Sequence, residues 1–256
     1  MVKANKVVLA LVISAVLGTT LTATAGAQIE STREGSAVVT QRGIAALRLA
    51  DPNLTGRGVK FAVVCRSITY IDGEPQNDYI PYTEHNCLRA KEFVFHDEGK
   101  LPAGISPHST AICSILFGDD PNAFYPNLGS FTYKGTTPEA TAEVYEFWHF
   151  LINHVFPQRP PDADVLTASV GALLEDWWTR GIEAMAEHYG LVVVAGIGNG
   201  LEAKDPVLYP GASANVIGVG VVDTVDANDL LTRLEYNSLA YPEHSSFGPT
   251  EDGRCK

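Results

Sequence analysis

The sequence predicts an α/β protein, a three-layer sandwich with a mostly parallel central sheet. Short apolar runs rich in valine alternate with segments of helical periodicity along the middle of the chain. Near-continuous apolar runs are typical of strands buried on both faces of a parallel sheet, and the intervening helices indicate βαβ crossovers. With 45% hydrophobic and 19% charged residues among 256, the composition is that of a globular domain.

The first predicted strand covers residues 59–64, an apolar run in which Lys60 is the only charged residue. A helix is predicted over residues 108–117, because Pro107 suits a first helical turn and three apolar residues share one face. The polar and glycine-containing residues 118–122 are predicted to be the turn that ends this helix.

The second half of the chain repeats the alternation of strand and helix. The predicted elements are a strand at 142–147, a short helix at 148–156, a loop at 158–161, a strand at 165–170, an amphipathic helix at 174–189, and strands at 191–195 and 216–222. We find no internal repeat, and therefore expect a single domain.

The N-terminus has the three parts of a secretory signal. Lys3 and Lys6 precede an apolar run over residues 7–17, and Ala25-Gly26-Ala27 offers a cleavage site. A membrane anchor is the alternative, but the run is short beside the ~20 residues that span a bilayer. We expect a signal peptide at 1–27, a short segment at 28–53 and one domain at 54–256, secreted or periplasmic, without membrane contact after cleavage.

Charge and cysteine content argue against nucleic-acid binding and against a structural zinc site. The net charge of −12 offers no basic surface for nucleic acid. The four cysteines show no CxxC spacing, so a structural zinc site is not predicted. Export permits disulfides, and the sequence leaves all three connectivities of four cysteines open.

Seven segments, in the correct order, resemble the subtilisin-like serine proteases (subtilases). The four main ones are residues 54–64 (LTGRGVKFAVV), 107–115 (PHSTAICSI), 163–171 (ADVLTASVG) and 192–200 (VVVAGIGNG). Weaker matches are residues 135–140 (GTTPEA), 209–212 with 216–220 (YPGA, VIGVG) and 245–256 (SSFGPTEDGRCK). The resemblance runs from about residue 44 to the last residue and implies the subtilisin-like fold.

The resemblance also implies serine-type endopeptidase chemistry on a peptide or protein substrate. In that chemistry a histidine activates a serine hydroxyl, a carboxylate orients the histidine, and a donor stabilises the oxyanion. By resemblance, His108 is the base, Asn199 is the oxyanion donor, and Ser169 and Gly171 pair with substrate main chain. Calcium is the one cofactor that the resemblance implies. Its site is not assigned, because Asp119 and Asp120 are interpreted equally well as part of a solvated turn.

The sequence departs from the family pattern at the orienting carboxylate. Cys65 stands where the family has aspartate, and a thiol carries no fixed charge at neutral pH. Asp72 is expected to lie in a loop and not to replace it. In the following helix, Ser109 replaces the family's glycine and Ala111 replaces a second histidine.

The serine nucleophile is not found in the sequence. The family carries it in a Gly-Thr-Ser turn after a Lys-Pro-Asp segment, and the sequence ends at Lys256, where that segment begins. We therefore expect a chain that is incomplete at its C-terminal side and inactive. Ser213 follows Tyr-Pro and leads into a strand, and Ser245 and Ser246 precede the nucleophile segment, so none of the three is expected to attack.

Two other functions are weighed against a degenerate peptidase. An exported, non-catalytic module that only binds peptides would keep the same cleft. A nucleotide-binding α/β domain would need a glycine-rich loop after its first strand, and residues 65–69 contain no glycine.

Three structural expectations follow. His108 and Cys65 should lie side by side at the carboxyl edge of the sheet, with Asn199 facing the same cleft. Cys113 should be buried on the inner face of its helix. A disulfide between Cys65 and Cys113 stays open at this stage.

Overall fold

A six-stranded parallel sheet forms the centre of this computed structural model. The structure describes residues 44, 47–65, 68–71, 74–99, 103–125, 129–200, 206–220, 245–246 and 249–254. The predicted signal peptide lies outside these residues. None of the helices in the described ranges is long and apolar enough to cross a bilayer.

The elements alternate along the chain as an α/β fold requires. The strands are β1 Lys60–Cys65, β2 Ile68–Ile71, β3 Glu74–Ile80, β4 Phe93–His96, β5 Ala103–Ile105, β6 Asp119–Tyr125, β7 Gly129–Lys134, β8 Thr141–Glu146, β9 Val165–Ala168, β10 Val192–Gly196 and β11 Ile217–Val219. The helices are α1 Pro107–Phe117, α2 Phe147–Phe150, which continues as a π-helical segment at Leu151–Val155, and α3 Trp177–Tyr189.

The order of the central sheet is β11-β10-β9-β1-β8-β4, and every pair in it is parallel. Two smaller sheets, β2-β3-β5 and the hairpin β6-β7, complete the described part of the chain. The predicted α/β class with a parallel central sheet is confirmed.

Strand β1 supplies side chains to the cores on both faces of the sheet. Ala62 and Val64 pack with residues of α2 and α3, whereas Phe61, Val63 and Cys65 pack with residues of α1. All five are buried, and a fully buried valine stabilises the fold by about 2 kcal/mol. The two helical layers are therefore held against one strand, as its apolar run predicts.

The predicted helices are present, and their caps fix where they begin. Ser106 caps α1 by accepting a hydrogen bond from the backbone N–H of Ser109 at 3.1 Å. Helix α3 begins later than its apolar pattern predicts, because Asp176 caps it together with Thr179. A capping box of this kind satisfies backbone N–H groups at the first turn.

The helix ends before residues 118–122, as predicted, with Gly118 as its C-cap, but residues 119–122 form a strand and not a turn. Strand β6 begins at Asp119 and pairs antiparallel with β7, and the register shifts between Asp120 and Ala123, around Pro121. Hairpin pairing with a neighbouring strand overrides the local turn preference of this polar stretch. Strands β2 to β5 and β7 were not predicted either. β2, β4 and β5 are only three or four residues long, and β3 and β7 consist largely of polar residues, so no long apolar run predicts them.

Candidate active site

Cys65 ends β1 at the carboxyl edge of the sheet and is fully buried. Burial raises the pKa of its thiol to about 11, and the neighbouring Ser109 side chain offsets part of this rise. The thiol is therefore protonated at neutral pH. The position that the resemblance assigns to an aspartate carries no charge.

The first turn of α1 carries His108. The backbone N–H of Ser106 donates to the carbonyl of Ile80, at the end of β3, at 2.8 Å, which fixes where the helix starts. Ser109 is buried against the sheet, whereas His108 is exposed. In the part of the chain that the structure describes, the imidazole of His108 makes no hydrogen bond or ion pair.

Ser109, next to His108 in α1, is close to Cys65, because its side chain lowers the pKa of the Cys65 thiol. Cys113, one turn further on, is also close, because Cys65 adds to the rise in the pKa of the Cys113 thiol that burial mainly causes. The described residues include no hydrogen bond between His108 and Cys65. The direct pairing of these two side chains stays a prediction, while the start of α1 does pack on the end of β1.

The ends of β9 and β10 lie at the same edge as the end of β1. Val64 pairs with Ala168, and Ala168 pairs with Ala195. Neighbouring strands lie about 4.8 Å apart, so Ser169 and Gly196 follow at the edge where Cys65 lies. The sheet thus brings together the carboxyl ends from which the predicted substrate-binding and oxyanion segments extend.

The backbone at Gly171 is held by a close approach to a neighbouring loop. Ala172 and Tyr209 exchange two backbone hydrogen bonds, at 2.8 and 2.9 Å. A Cβ atom at Gly171 would lie 2.9 Å from Cβ of Leu208, so this contact requires glycine. Gly171 is exposed and Ser169 half-buried.

Asn199 follows a glycine that the surrounding structure also requires. Gly198 has a φ of 119°, which favours glycine, and a Cβ atom there would collide with the Ser246 hydroxyl. The backbone N–H of Ser246 donates to the carbonyl of Gly198 at 3.2 Å. Asn199 itself is exposed, in the turn that leaves β10.

The serines considered as nucleophiles are all buried. Ser213 lies in a turn, its backbone N–H donates to the carbonyl of Pro210 at 2.9 Å, and the chain then enters β11. Ser245 and Ser246 are each 1% exposed. Asp72, which the sequence analysis considered as a replacement for the missing aspartate, lies outside the described residues.

The three described cysteines, Cys65, Cys87 and Cys113, are free thiols. Cys113 is 0% exposed, which confirms the prediction that it is buried. The structure therefore shows no disulfide between Cys65 and Cys113. Cys255 lies outside the described residues.

Glu146 is a buried acidic residue beside the candidate site that the sequence analysis did not single out. It ends β8, directly opposite Cys65 in the parallel register, and is 6% exposed. Its Oε2 atom accepts a hydrogen bond from the backbone N–H of His149 at 2.7 Å and so caps α2. The signal that could have indicated it is an acidic residue near the end of the strand predicted at 142–147. An acidic residue in a buried strand needs a polar partner, such as the backbone N–H groups at the start of a helix.

The calcium site that the resemblance implies is not located among the acidic side chains of the described residues. They contain no group of three His, Cys, Asp or Glu side chains that could hold an ion. Asp119 and Asp120 lie in β6 opposite Lys134 and Tyr133, and the reading of this pair as a solvated turn is wrong.

Open α/β sheets place their sites beyond the carboxyl ends of the strands, and Cys65 and the segments that carry Ser169, Gly171 and Asn199 lie at or leave from those ends. The molecule is thus an α/β protein with a candidate site at this edge of its sheet. The chain belongs to the subtilase family, whose family model matches residues 56–256. No curated protein matches the chain.

Two solved structures are similar to part of the chain. The prenylagaramide maturation protease PagA is 18% identical with a TM-score of 0.47, over 69% of this chain and 58% of that chain. A protein described as S41 psychrophilic protease is 19% identical with a TM-score of 0.45, over 70% of this chain and 59% of that chain. The chain therefore spans less than two thirds of either protein's length.

Proposed function

We propose that this subtilase chain binds an extended peptide or protein segment along the carboxyl edge of its sheet. Ser169 and Gly171 pair with the main chain of the bound segment. Asn199 donates a hydrogen bond to the carbonyl oxygen of the scissile peptide bond, and His108 is the general base. The reaction class is serine-type endopeptidase hydrolysis, which follows from family membership.

One observation supports this proposal most strongly. The parallel register places the ends of β1, β9 and β10 side by side, and the three predicted segments extend from those ends. Gly171 and Asn199 are both exposed, on segments that leave the neighbouring strands β9 and β10, and an added extended chain needs accessible main chain there, because main-chain pairing gives affinity.

We further propose that the 256-residue chain hydrolyses peptides at a negligible rate. Its sequence contains no Gly-Thr-Ser turn, and the protonated thiol of Cys65 supplies no charge to orient His108. Without a nucleophile, binding and the oxyanion donor leave a residual rate only about 10³–10⁴ above water. Peptide binding without turnover is the second candidate function, and the uncharged Cys65 favours it for this chain. Export by the predicted signal peptide remains part of the proposal.

The test measures binding and hydrolysis on the same preparation. Fluorescein-labelled casein peptides report binding by fluorescence anisotropy and cleavage by chromatography. Gly171→Val should abolish binding, because the added side chain displaces Leu208 and covers the edge. Ser130→Val, which adds a similar side chain on the exposed face of β7, should bind as the natural chain does.

Two results would contradict the proposal. Absence of binding at millimolar peptide would exclude the peptide site. Turnover that phenylmethylsulfonyl fluoride inhibits would exclude the binding-only function and return attention to Ser213.

A further inference from the structure

Cys87 is a buried nucleophile that the proposed function does not use. It lies in the turns between β3 and β4, and 6% of its surface is exposed. Its thiol is free. The backbone N–H of Asp119, at the start of β6, donates to the carbonyl of Cys87 at 2.8 Å, and the next residue, Leu88, is fully buried. The fold therefore fixes the position of this thiol.

The imidazole of His85 lies beside the thiol. Its Nδ1 atom is 3.1 Å from Sγ of Cys87. The backbone N–H of Cys87 donates to the same Nδ1 atom at 3.4 Å, so Nδ1 is the acceptor nitrogen, and the proton of the neutral ring belongs on Nε2. A thiol at this distance from an acceptor nitrogen is a nucleophile in contact with a base, the arrangement that activates cysteine.

A hydroxyl group also contacts the sulfur. Oγ of Ser114, in α1, lies 3.3 Å from Sγ of Cys87. A hydroxyl accepts a hydrogen bond from a thiol and donates one to a thiolate. Ser114 can therefore stabilise the sulfur of Cys87 both before and after its proton is removed.

The other two described thiols lack such a base. Cys65 and Cys113 are both 0% exposed, and within the described residues neither makes a hydrogen bond to an imidazole. Burial raises the pKa of all three thiols, and Asp120 adds to the rise at Cys87. All three are thus protonated at neutral pH, but Cys87 has a base in contact that can remove its proton.

We propose that Cys87 is a peroxide-reactive site in which His85 is the general base. The sulfur of Cys87 attacks one oxygen of a hydroperoxide while the thiol proton passes to Nδ1 of His85. The O–O bond breaks, and the departing oxygen takes that proton from Nδ1 and leaves as water or an alcohol. The sulfur is oxidised to sulfenic acid, and the hydroperoxide is reduced.

The geometry of the site favours a small oxidant. Because Cys87 is almost fully buried, a large disulfide cannot bring its sulfur into line with the thiol. Hydrogen peroxide is hardly larger than water and can approach from the side of His85, which is exposed. The chemical class of the reagent is therefore a small hydroperoxide.

The experiment follows the oxidation of each cysteine in the purified 256-residue chain at neutral pH. Catalase stops the reaction with hydrogen peroxide at intervals, and the remaining thiols are alkylated with iodoacetamide in urea. Mass spectrometry of the peptides then gives a rate for each cysteine, and dimedone in a parallel sample identifies the sulfenic acid. We expect Cys87 to be oxidised faster than Cys65 and Cys113 by about tenfold or more.

Two variants separate the base from the shape of the turn. His85→Gln changes an exposed residue and should slow the oxidation of Cys87 by about tenfold or more, because a general base contributes at least that factor. Asn86→Ala is the matched control. It changes an exposed side chain of the same turn, whose Oδ1 accepts a hydrogen bond from Arg89 at 3.1 Å, and should leave the rate at Cys87 unchanged.

Three results would overturn the proposal. These are equal rates at Cys87, Cys65 and Cys113, a rate in His85→Gln that equals or exceeds that of the natural chain, and a fall in Asn86→Ala as large as that in His85→Gln. The comparison of the three thiols uses the natural chain, so it decides the proposal even if a variant does not fold. None of these measurements involves a peptide, so the result is independent of the proposed peptide site.

Discussion

At the scale of the residue, the titration of Cys65 contributes to how the fold responds to alkaline pH. Burial raises the pKa of its thiol from an ordinary value of 9.0 to about 11. Between these values the folded chain keeps a proton that the unfolded chain loses. The folded state then binds more protons, so the free energy of unfolding falls as pH rises through this window.

We expect Cys65 to remove up to about 2–3 kcal/mol from the free energy of unfolding between pH 9 and pH 11. Urea unfolding of the natural chain and of Cys65→Ala at pH 8.5 and pH 10.5 measures this. The loss should be smaller in Cys65→Ala. Ser109→Ala keeps the buried thiol and is the control, with a loss at least as large as that of the natural chain. Equal losses in the natural chain and Cys65→Ala would show that the thiol ionises as freely in the fold as in the unfolded chain.

At the scale of the element, two glycines offer a matched test of how helix α3 ends. Gly190 follows α3 with a φ of 69°, and nothing lies within 4 Å of a Cβ atom there. Gly196 ends β10 with equally open space but without a positive φ. The two positions thus differ in backbone conformation and not in steric room.

We expect Gly190→Ala to lower the free energy of unfolding by about 1 kcal/mol, because an L-residue is strained in the left-handed region. Gly196→Ala should be neutral or stabilising by up to about 1 kcal/mol. Urea unfolding at neutral pH measures both. Equal losses in the two variants would mean that the left-handed geometry does not determine the cost.

The elements also show what the sequence could predict. Strand β1 and helix α3 have strong local patterns, an apolar run and an amphipathic periodicity, and both were predicted close to their observed bounds. Hairpin β6-β7 was not predicted, because its polar residues form strands only through pairing with each other. Pairing between segments leaves little trace in either segment alone.

The same limit applies to the candidate site. Motif resemblance predicted Cys65, His108 and Asn199 as site positions, and their roles stay a prediction. It did not identify Glu146, whose relation to Cys65 depends on the register between β1 and β8. Register is set by the packing of both strands and cannot be derived from one segment of sequence.

At the scale of the whole molecule, both helical layers depend on the central strand. Strand β1 has a partner on each side and a core on each face. Strand β11 lies at one end of the sheet order, and its three residues are exposed. Opening β1 requires both layers to separate, whereas β11 can open alone.

We therefore expect hydrogen exchange to be slowest in β1 and fast in β11. Backbone amides of Phe61–Val64 should exchange only through global unfolding, with a free energy equal to that from urea unfolding. Amides of β11 should exchange at least tenfold faster. Hydrogen exchange followed by mass spectrometry measures both segments, and similar protection in the two would contradict this hierarchy.

Export gives a second prediction for the whole chain. Expressed with its full sequence in a secreting bacterial host, the protein should begin at Gln28, after the Ala25-Gly26-Ala27 site. N-terminal sequencing of the exported product tests this. Lys3→Glu with Lys6→Glu should reduce export by removing the positive n-region, while Lys60→Glu should leave the cleavage site unchanged. A product that still begins at Met1 would favour the membrane-anchor alternative.

The register between Cys65 and Glu146 also constrains how this sequence could change over generations. An aspartate restored at Cys65 would start from the strand next to that of Glu146, about 4.8 Å away between the two backbones. Two buried carboxylates on neighbouring strands oppose each other's ionisation, so a negative charge at position 65 would cost more with Glu146 present. The register therefore makes an aspartate at position 65 less favourable while Glu146 is present than it would be once Glu146 is replaced by a neutral residue.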